Sequence, residues 1–455
     1  MVRATGAPFD VCRRLARKGN ERMGTLLFVF AAVIEVFLVV FCLRTKSNQT
    51  KAKGYVRIGA LTGFALLLFF KVIDWGIRYY ALSALLLLLT VFGLLGITRK
   101  NAGTASFKPG RAVLRAVGMT ILFLLVTLPA IAFPRHSPLE VTGRYGVSTA
   151  NFTYMDASRS ETYASAGEYR KLMVGYWYPA KADGKYPLVV FSHGGISGMN
   201  SNESLYRELA SHGYVVASIS HPYHAIAATD EDGHTIWIDR GYLREILGED
   251  AKTNRYQSYQ YYQKWMKIRM DDINFVIDYI LSEAGNDEAN SVYRLVDRAA
   301  IGVMGHSFGG SAALGIGRIR DDVGAVIALE SPFMYDIKGV ENGEFVLTDG
   351  AYPVPVLNVY SDSTWSRLGE LPQYAQNHAL LIDHDATVFN VHMSGVGHFS
   401  LTDLALSSPV LTRMLNRFRS TVSSEDSLRM VNKVCLEFLD SYLKKMGEFT
   451  PSGAK

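Results

Sequence analysis

Residues 23–133 carry long runs of apolar side chains, and these constrain the fold more than any other feature of the chain. A bilayer core offers no water to bond the backbone, so a segment that crosses it alone must be helical and roughly 20 residues long. Residues 24–43, 80–97 and 116–133 meet that length and composition. Residues 58–77 do so less cleanly, because Lys71 and Asp74 interrupt the end of the run. The spacing of Lys71 and Asp74 would let them pair on one helix face or sit near the interface. Four transmembrane helices are therefore predicted. So many long apolar runs are rare in the cores of soluble proteins, and the first run is too long for a cleavable signal peptide.

The basic residues flanking these runs speak to topology. Arg44, Lys46, Lys51, Lys53 and Arg57 follow the first run, and Arg99, Lys100, Lys108, Arg111 and Arg115 precede the last. Both loops should be cytoplasmic, which places everything after residue 134 outside the cell membrane. The N-terminal arm, with Arg3, Arg13, Arg14, Arg17, Lys18 and Arg22, would prefer the cytoplasm too. Initiation at Met23 would remove the conflict. The net charge of +5 is mild and lies largely around the apolar runs, so no nucleic-acid partner is expected.

The remainder of the 455-residue chain is ordinary globular sequence. The predicted organisation is a basic arm over 1–22, a membrane region over 23–134, a catalytic domain over 139–446 and a tail over 447–455. Of the three cysteines, Cys12, Cys42 and Cys435, only the last belongs to the globular part. An internal disulfide is therefore excluded there, and no Cys-rich metal motif exists. Strands are predicted at 173–178, 187–191, 214–220, 299–304, 323–329, 354–360 and 387–393. Helices are predicted at 204–211 and, amphipathically, at 265–281. Short apolar strands separated by helices imply a mostly parallel sheet covered on both faces. The stretch 221–260 breaks this rhythm and is either a surface excursion or a lid over a site.

Chemistry enters at Gly305-His306-Ser307-Phe308-Gly309-Gly310. An apolar strand leads into this G-x-S-x-G motif and a run of small residues leaves it. That is the strand–turn–helix of a nucleophile elbow, which implies the α/β-hydrolase fold with Ser307 as nucleophile. Upstream, Phe191-Ser192-His193-Gly194-Gly195 follows a strand and can supply a backbone amide to an oxyanion hole. The amides of Gly195 and Phe308 are the predicted pair. The base must follow the last strands. Among His378, His384, His392 and His398, the Gly-flanked loop 394–399 makes His398 the candidate, while His392 alternates within a strand. The acid is open between Glu330, which closes strand 323–329, and Asp362, which follows strand 354–360; Asp336 and Asp403 are poorer by position. His221 and His224, with Asp230 and Glu231 nearby, lack a third well-spaced ligand for a metal. Neither metal nor cofactor is expected.

At these residues the chain resembles the platelet-activating factor acetylhydrolase family, in its single-chain, lipase-like branch, and its bacterial dienelactone-hydrolase-like relatives. The matching pieces are 305–310, 191–194, 326–330 and the final histidine loop, within roughly residues 139–445. In that family the acid is an aspartate directly after the strand that follows the elbow. The resemblance therefore favours Glu330 over Asp362, with glutamate as a departure. It also implies cleavage of carboxylic esters, short-chain or phospholipid-type, through an acyl-enzyme. The rival expectations are a serine peptidase of prolyl-oligopeptidase type and a non-catalytic membrane receptor or scaffold with a hydrolase-like domain.

Overall fold

A computed structural model describes residues 22–98, 107–164, 167–286, 290–383, 387–416 and 418–450. Residues 1–21, Arg99, Lys100 and His384 lie outside the described residues. The chain divides into two compact units, 1–137 with 406–411, and 138–405 with 412–455.

The first unit contains helices α1 (Met23–Thr45), α2 (Thr50–Phe69), α3 (Ile77–Thr98) and α4 (Pro109–Ala132). All four are long and apolar enough to cross a membrane. Their outward side chains remain apolar: Phe30, Phe37, Leu87 and Leu114 are exposed. A soluble bundle would show the reverse pattern. Helix α1 carries one carboxylate, Glu35, near its middle. Helix α2 starts eight residues before the predicted 58 and includes Lys51, Lys53 and Arg57. It stops at Phe69 because the chain turns over at Lys71, whose φ is +54°. The amides of Lys71 and Val72 there bond back to the carbonyls of Leu68 and Leu67. Lys71 and Asp74 thus share no helix face, and Asp74 pairs with Arg135 at 2.8 Å.

The second unit is built on an eight-stranded sheet in the order β1-β2-β4-β3-β7-β8-β11-β12. Its strands are β1 (Val147–Ser160), β2 (Tyr169–Pro179), β3 (Tyr186–Ser192), β4 (Val215–Ser220), β7 (Val296–His306), β8 (Val323–Leu329), β11 (Val356–Ser361) and β12 (Val388–Met393). The remaining four form two small hairpins, β5 (Ala227–Thr229) with β6 (Thr235–Trp237) and β9 (Ile337–Glu341) with β10 (Glu344–Leu347). From β4 to β12 every pairing is parallel, while β1–β2 and β2–β4 are antiparallel.

The central strands are buried on both faces, which is why they read as continuous Val, Ile, Leu and Ala. Alternate residues serve opposite cores. Leu188, Val190, Val303 and Val326 join one cluster with Ile273, Val276 and Ile277 of α7 (Arg255–Ala284). Val189, Phe191, Met304 and Ile327 join the other with Leu205 and Leu209 of α5 (Glu203–Ser211). Val431, Cys435 and Phe438 of α9 (Ser424–Tyr442) pack on that second face. Helix α6 (Arg240–Gly248) and the β5–β6 hairpin occupy the 221–260 stretch, and α8 (Phe308–Ile319) follows β7.

Register then decides where chemistry can sit. Ser192 pairs with Gly305, His306 with Leu329, and Leu329 with Val359. The carboxyl ends of β3, β7, β8 and β11 therefore meet along one edge. In an open α/β sheet, that edge is where ligands bind.

Candidate active site

Ser307 lies between β7 and α8 with φ +53° and ψ −125°. A serine in that conformation is strained, and such outliers persist only where neighbours over-determine them. Here the Ser307 amide donates to the Leu329 carbonyl at 2.8 Å, and its own carbonyl accepts from the Ser311 amide at 3.1 Å. The glycines make the bend feasible. A Cβ on Gly309 would collide with the Ser192 carbonyl, and one on Gly305 with the Gly309 backbone. Ser307 caps the N-terminus of α8, where the partial positive charge of the helix favours a developing anion.

Glu330 follows β8 and is fully buried. It too has a left-handed backbone, φ +51°. One carboxylate oxygen accepts the Ser361 amide at 3.1 Å, and the other accepts the Thr364 hydroxyl. The second oxygen also lies 3.6 Å from Nδ1 of His398. Burial alone would raise the pKa of this carboxyl. Hydrogen bonding and attraction from His398, with the bonds from Ser361 and Thr364, reverse that and hold it below the usual range.

His398 is fixed from two sides. Its amide donates to Ser363 Oγ at 3.1 Å, and its carbonyl accepts Nε2–H of His306 at 3.1 Å. The His306 and His398 rings are 4.5 Å apart. His306 immediately precedes Ser307, so this bond ties the histidine loop to the elbow. Burial, with repulsion from His398, pushes the His306 imidazole down to about 3, leaving it a neutral donor.

Asp362 is engaged elsewhere. Its carboxylate accepts Nε2–H of His392 and the Gly395 amide, each at 2.8 Å. It therefore braces the loop that carries His398, while the buried partner of His398 is Glu330. His378 lies on the helix Ala375–Ile382 with its ring against Gly369. Asp336 pairs with Arg318 at 2.6 Å, and Asp403 accepts the Ser204 amide at 2.6 Å.

On the other side of the elbow, a Cβ built on Gly194 would lie 3.7 Å from Cβ of Ser307. The Gly195 carbonyl accepts the Tyr242 hydroxyl at 2.8 Å. Tyr242 comes from the 221–260 stretch; it is fully buried and stacks on His224 at 3.8 Å. That stretch thus packs into the domain at the loop that follows β3. His221 and His224 point inward too: His221 bonds Asp272 and Ser192, and His224 bonds Tyr163. Sequence reasoning missed the braces of the site, His306, Ser363, Thr364 and Tyr242. Only Tyr242 carried a signal, as one of the aromatics concentrated in 221–260.

The model of the family "Platelet-activating factor acetylhydrolase, isoform II" matches residues 171–452. The chain belongs to this family. Platelet-activating factor acetylhydrolases of Cavia porcellus, over 290 residues, and Bos taurus, over 289, are each 23% identical to it, covering 58% of this chain and 59% of theirs. That of Canis lupus familiaris is 23% identical over 288 residues, 60% of each chain. The chain thus spans about three fifths of the length of these curated relatives. A ferulic acid esterase from Streptomyces cinnamoneus superposes with TM-score 0.51 at 22% identity, over 70% of this chain and 96% of that one. It shares the α/β-hydrolase fold, and the family model leaves residues 1–170 aside.

Proposed function

We propose that the protein is a membrane-anchored serine hydrolase that cleaves carboxylic esters, with a catalytic unit outside the cell membrane. The observation that carries this reading is the strained Ser307 at the elbow, beside a loop whose His398 faces the buried Glu330. Membership of the acetylhydrolase family supports an ester substrate of short-chain or phospholipid type. The four apolar helices and their outward-facing apolar side chains support the anchor.

The chemistry follows from the residues. As Ser307 Oγ attacks the ester carbonyl carbon, His398 takes its proton. Glu330, kept ionised, stabilises the resulting imidazolium and fixes its tautomer through Nδ1. The carbonyl oxygen gains negative charge and is held by the amides of Gly195 and Phe308. The tetrahedral intermediate collapses, the alcohol leaves with the proton from His398, and an acyl-Ser307 remains. Water, activated by His398, releases the acid and restores the serine.

Ser307→Ala is expected to lower hydrolysis of p-nitrophenyl acetate by at least about 10⁴-fold, with an unchanged circular dichroism spectrum. Undiminished turnover in that variant would overturn the assignment.

A further inference from the structure

Behind the oxyanion loop lies a buried charge that the mechanism above does not use. Arg269, on α7, is wholly inaccessible to solvent. Burying a guanidinium is costly unless its donors are satisfied, and here both terminal nitrogens converge on a single loop. Nη1 donates to the His193 carbonyl at 2.9 Å and to Ser192 Oγ at 3.2 Å. Nη2 donates to the Gly194 carbonyl at 3.3 Å, and Nε donates to Nδ1 of His224 at 3.2 Å. The guanidinium also lies 4.8 Å from the centre of the Phe308 ring. It thus touches both segments from which the oxyanion donors are drawn.

The support behind it is equally specific. His221 Nε2 lies 2.9 Å from Ser192 Oγ, and Nδ1 lies 2.8 Å from Asp272. Burial holds His221 near 3, so it is neutral. It therefore gives its Nδ1 proton to Asp272 and accepts the Ser192 hydroxyl, which leaves the serine oxygen free to receive Arg269. Ser192, His221 and Asp272 reproduce the bonding order of a catalytic triad, but all three are buried. Asp272 is in turn gripped by Arg170 through two bonds of 3.1 and 2.6 Å. These bonds run from Arg170 through Asp272, His221 and Ser192 to Arg269 and the peptide units of the oxyanion loop.

A peptide unit is planar and trans, so its C=O and N–H point in opposite directions. The Gly194 carbonyl and the Gly195 amide belong to one such unit. Fixing the carbonyl between Arg269 and Nδ1–H of His193, which lies 2.7 Å from it, turns the amide to the far side, toward the elbow that Gly194 approaches. A positive charge on the carbonyl side also polarises the unit and strengthens the amide as a donor. Burial lowers Arg269 to about 10, so it stays charged at neutral pH. We propose that Arg269 is a positioning residue that orients and polarises the Gly194–Gly195 peptide for oxyanion binding. This rests on the ester-hydrolase reading.

The test uses the full chain in detergent, p-nitrophenyl acetate as substrate, and an aryl trifluoromethyl ketone as probe. Ser307 adds to that ketone's carbonyl, and the resulting hemiketal oxyanion reports on the same donors. In Arg269→Lys and Arg269→Met, kcat is expected to fall roughly 100-fold or more. KM should stay within roughly threefold, and ketone affinity should fall in parallel with kcat. A kcat within about threefold of wild type, or a loss that leaves ketone affinity unchanged, would overturn the proposal. If the charge proves essential for folding, Ser192→Ala removes one anchor of the guanidinium instead. Parallel losses of roughly tenfold in kcat and ketone affinity are then expected, and no change in either would overturn it. A wild-type chain inert toward all esters would overturn the reading and the proposal together. An active wild type lost in Ser307→Ala but indifferent to Arg269 would overturn the proposal alone.

Discussion

The two acids that sequence reasoning left open differ in environment, and that difference sets their expected roles. Glu330 is buried, is held by Ser361 and Thr364, and faces Nδ1 of His398. Its depressed pKa keeps it ionised across neutral and mildly acidic pH. Asp362 is 37% exposed at its side chain and grips His392 and the Gly395 amide. Glu330→Gln is expected to lower kcat on p-nitrophenyl acetate about 10³- to 10⁴-fold at neutral pH, since an amide cannot stabilise the imidazolium. Asp362→Asn should cost less than about tenfold, because it loosens a loop brace and leaves the charge behind His398 in place. Steady-state kinetics on the two purified variants would distinguish these outcomes, and a reversed order would transfer the acid's role to Asp362. The longer glutamate side chain is anchored at the end of β11 by the Ser361 amide and the Thr364 hydroxyl.

At the scale of elements, the elbow joins β7 to α8 through backbone contacts too close for any Cβ. Gly309→Ala drives a methyl into the Ser192 carbonyl. Since backbone cannot yield as a side-chain tip can, a loss of several kcal/mol is expected. Gly339→Ala in the β9–β10 hairpin meets nothing within 4 Å and should be nearly neutral. Urea titration of both variants checks the contrast, and equal midpoints would contradict it. This element was legible because its glycines, serine and flanking strand are contiguous. The edge strand β1 was not. Val147–Ser160 reads NFTYMDASRS for most of its length, and its order comes from a long antiparallel pairing with β2. Period-2 reasoning finds strands through burial, and only two of these fourteen residues are buried. Likewise α7 begins at Arg255, ten residues before the predicted start, because Asn254 caps it by accepting the Gln257 amide. Its first turns are Tyr- and Gln-rich, and tertiary packing of Tyr262 and Trp265 decides their state.

Taken whole, the molecule announced its two units by composition alone, since apolar runs and alternating strand–helix patterns need no long-range information. What composition could not reveal is how much buried polarity the second unit carries. His193, His221, His224 and His306 are all buried, and burial lowers the pKa of each, His221 and His306 to about 3. In the unfolded chain a histidine titrates near 6.5, so below that pH the unfolded state binds protons that the folded state refuses. Stability therefore rises with pH between the folded and unfolded values, and is lost as the medium is acidified below about 6.5. Asp403 acts in the opposite sense: burial raises it to about 6, so it takes up its proton earlier in the folded state. Burial raises Asp336 in the same sense; four histidines outweigh these two carboxyls, and Asp272 and Glu330, both depressed, do not titrate in this range. Tryptophan-monitored urea unfolding of the full chain in detergent should show the midpoint of the second unit falling steadily from pH 6.5 to 5. His221 and His306 would each contribute roughly 2 kcal/mol over that interval. In His221→Gln the fall should be shallower although the starting stability is lower. A midpoint independent of pH across that window would mean that these imidazoles are hydrated or paired in solution, and the neutral tautomers assigned to His221 and His306 would then be untenable.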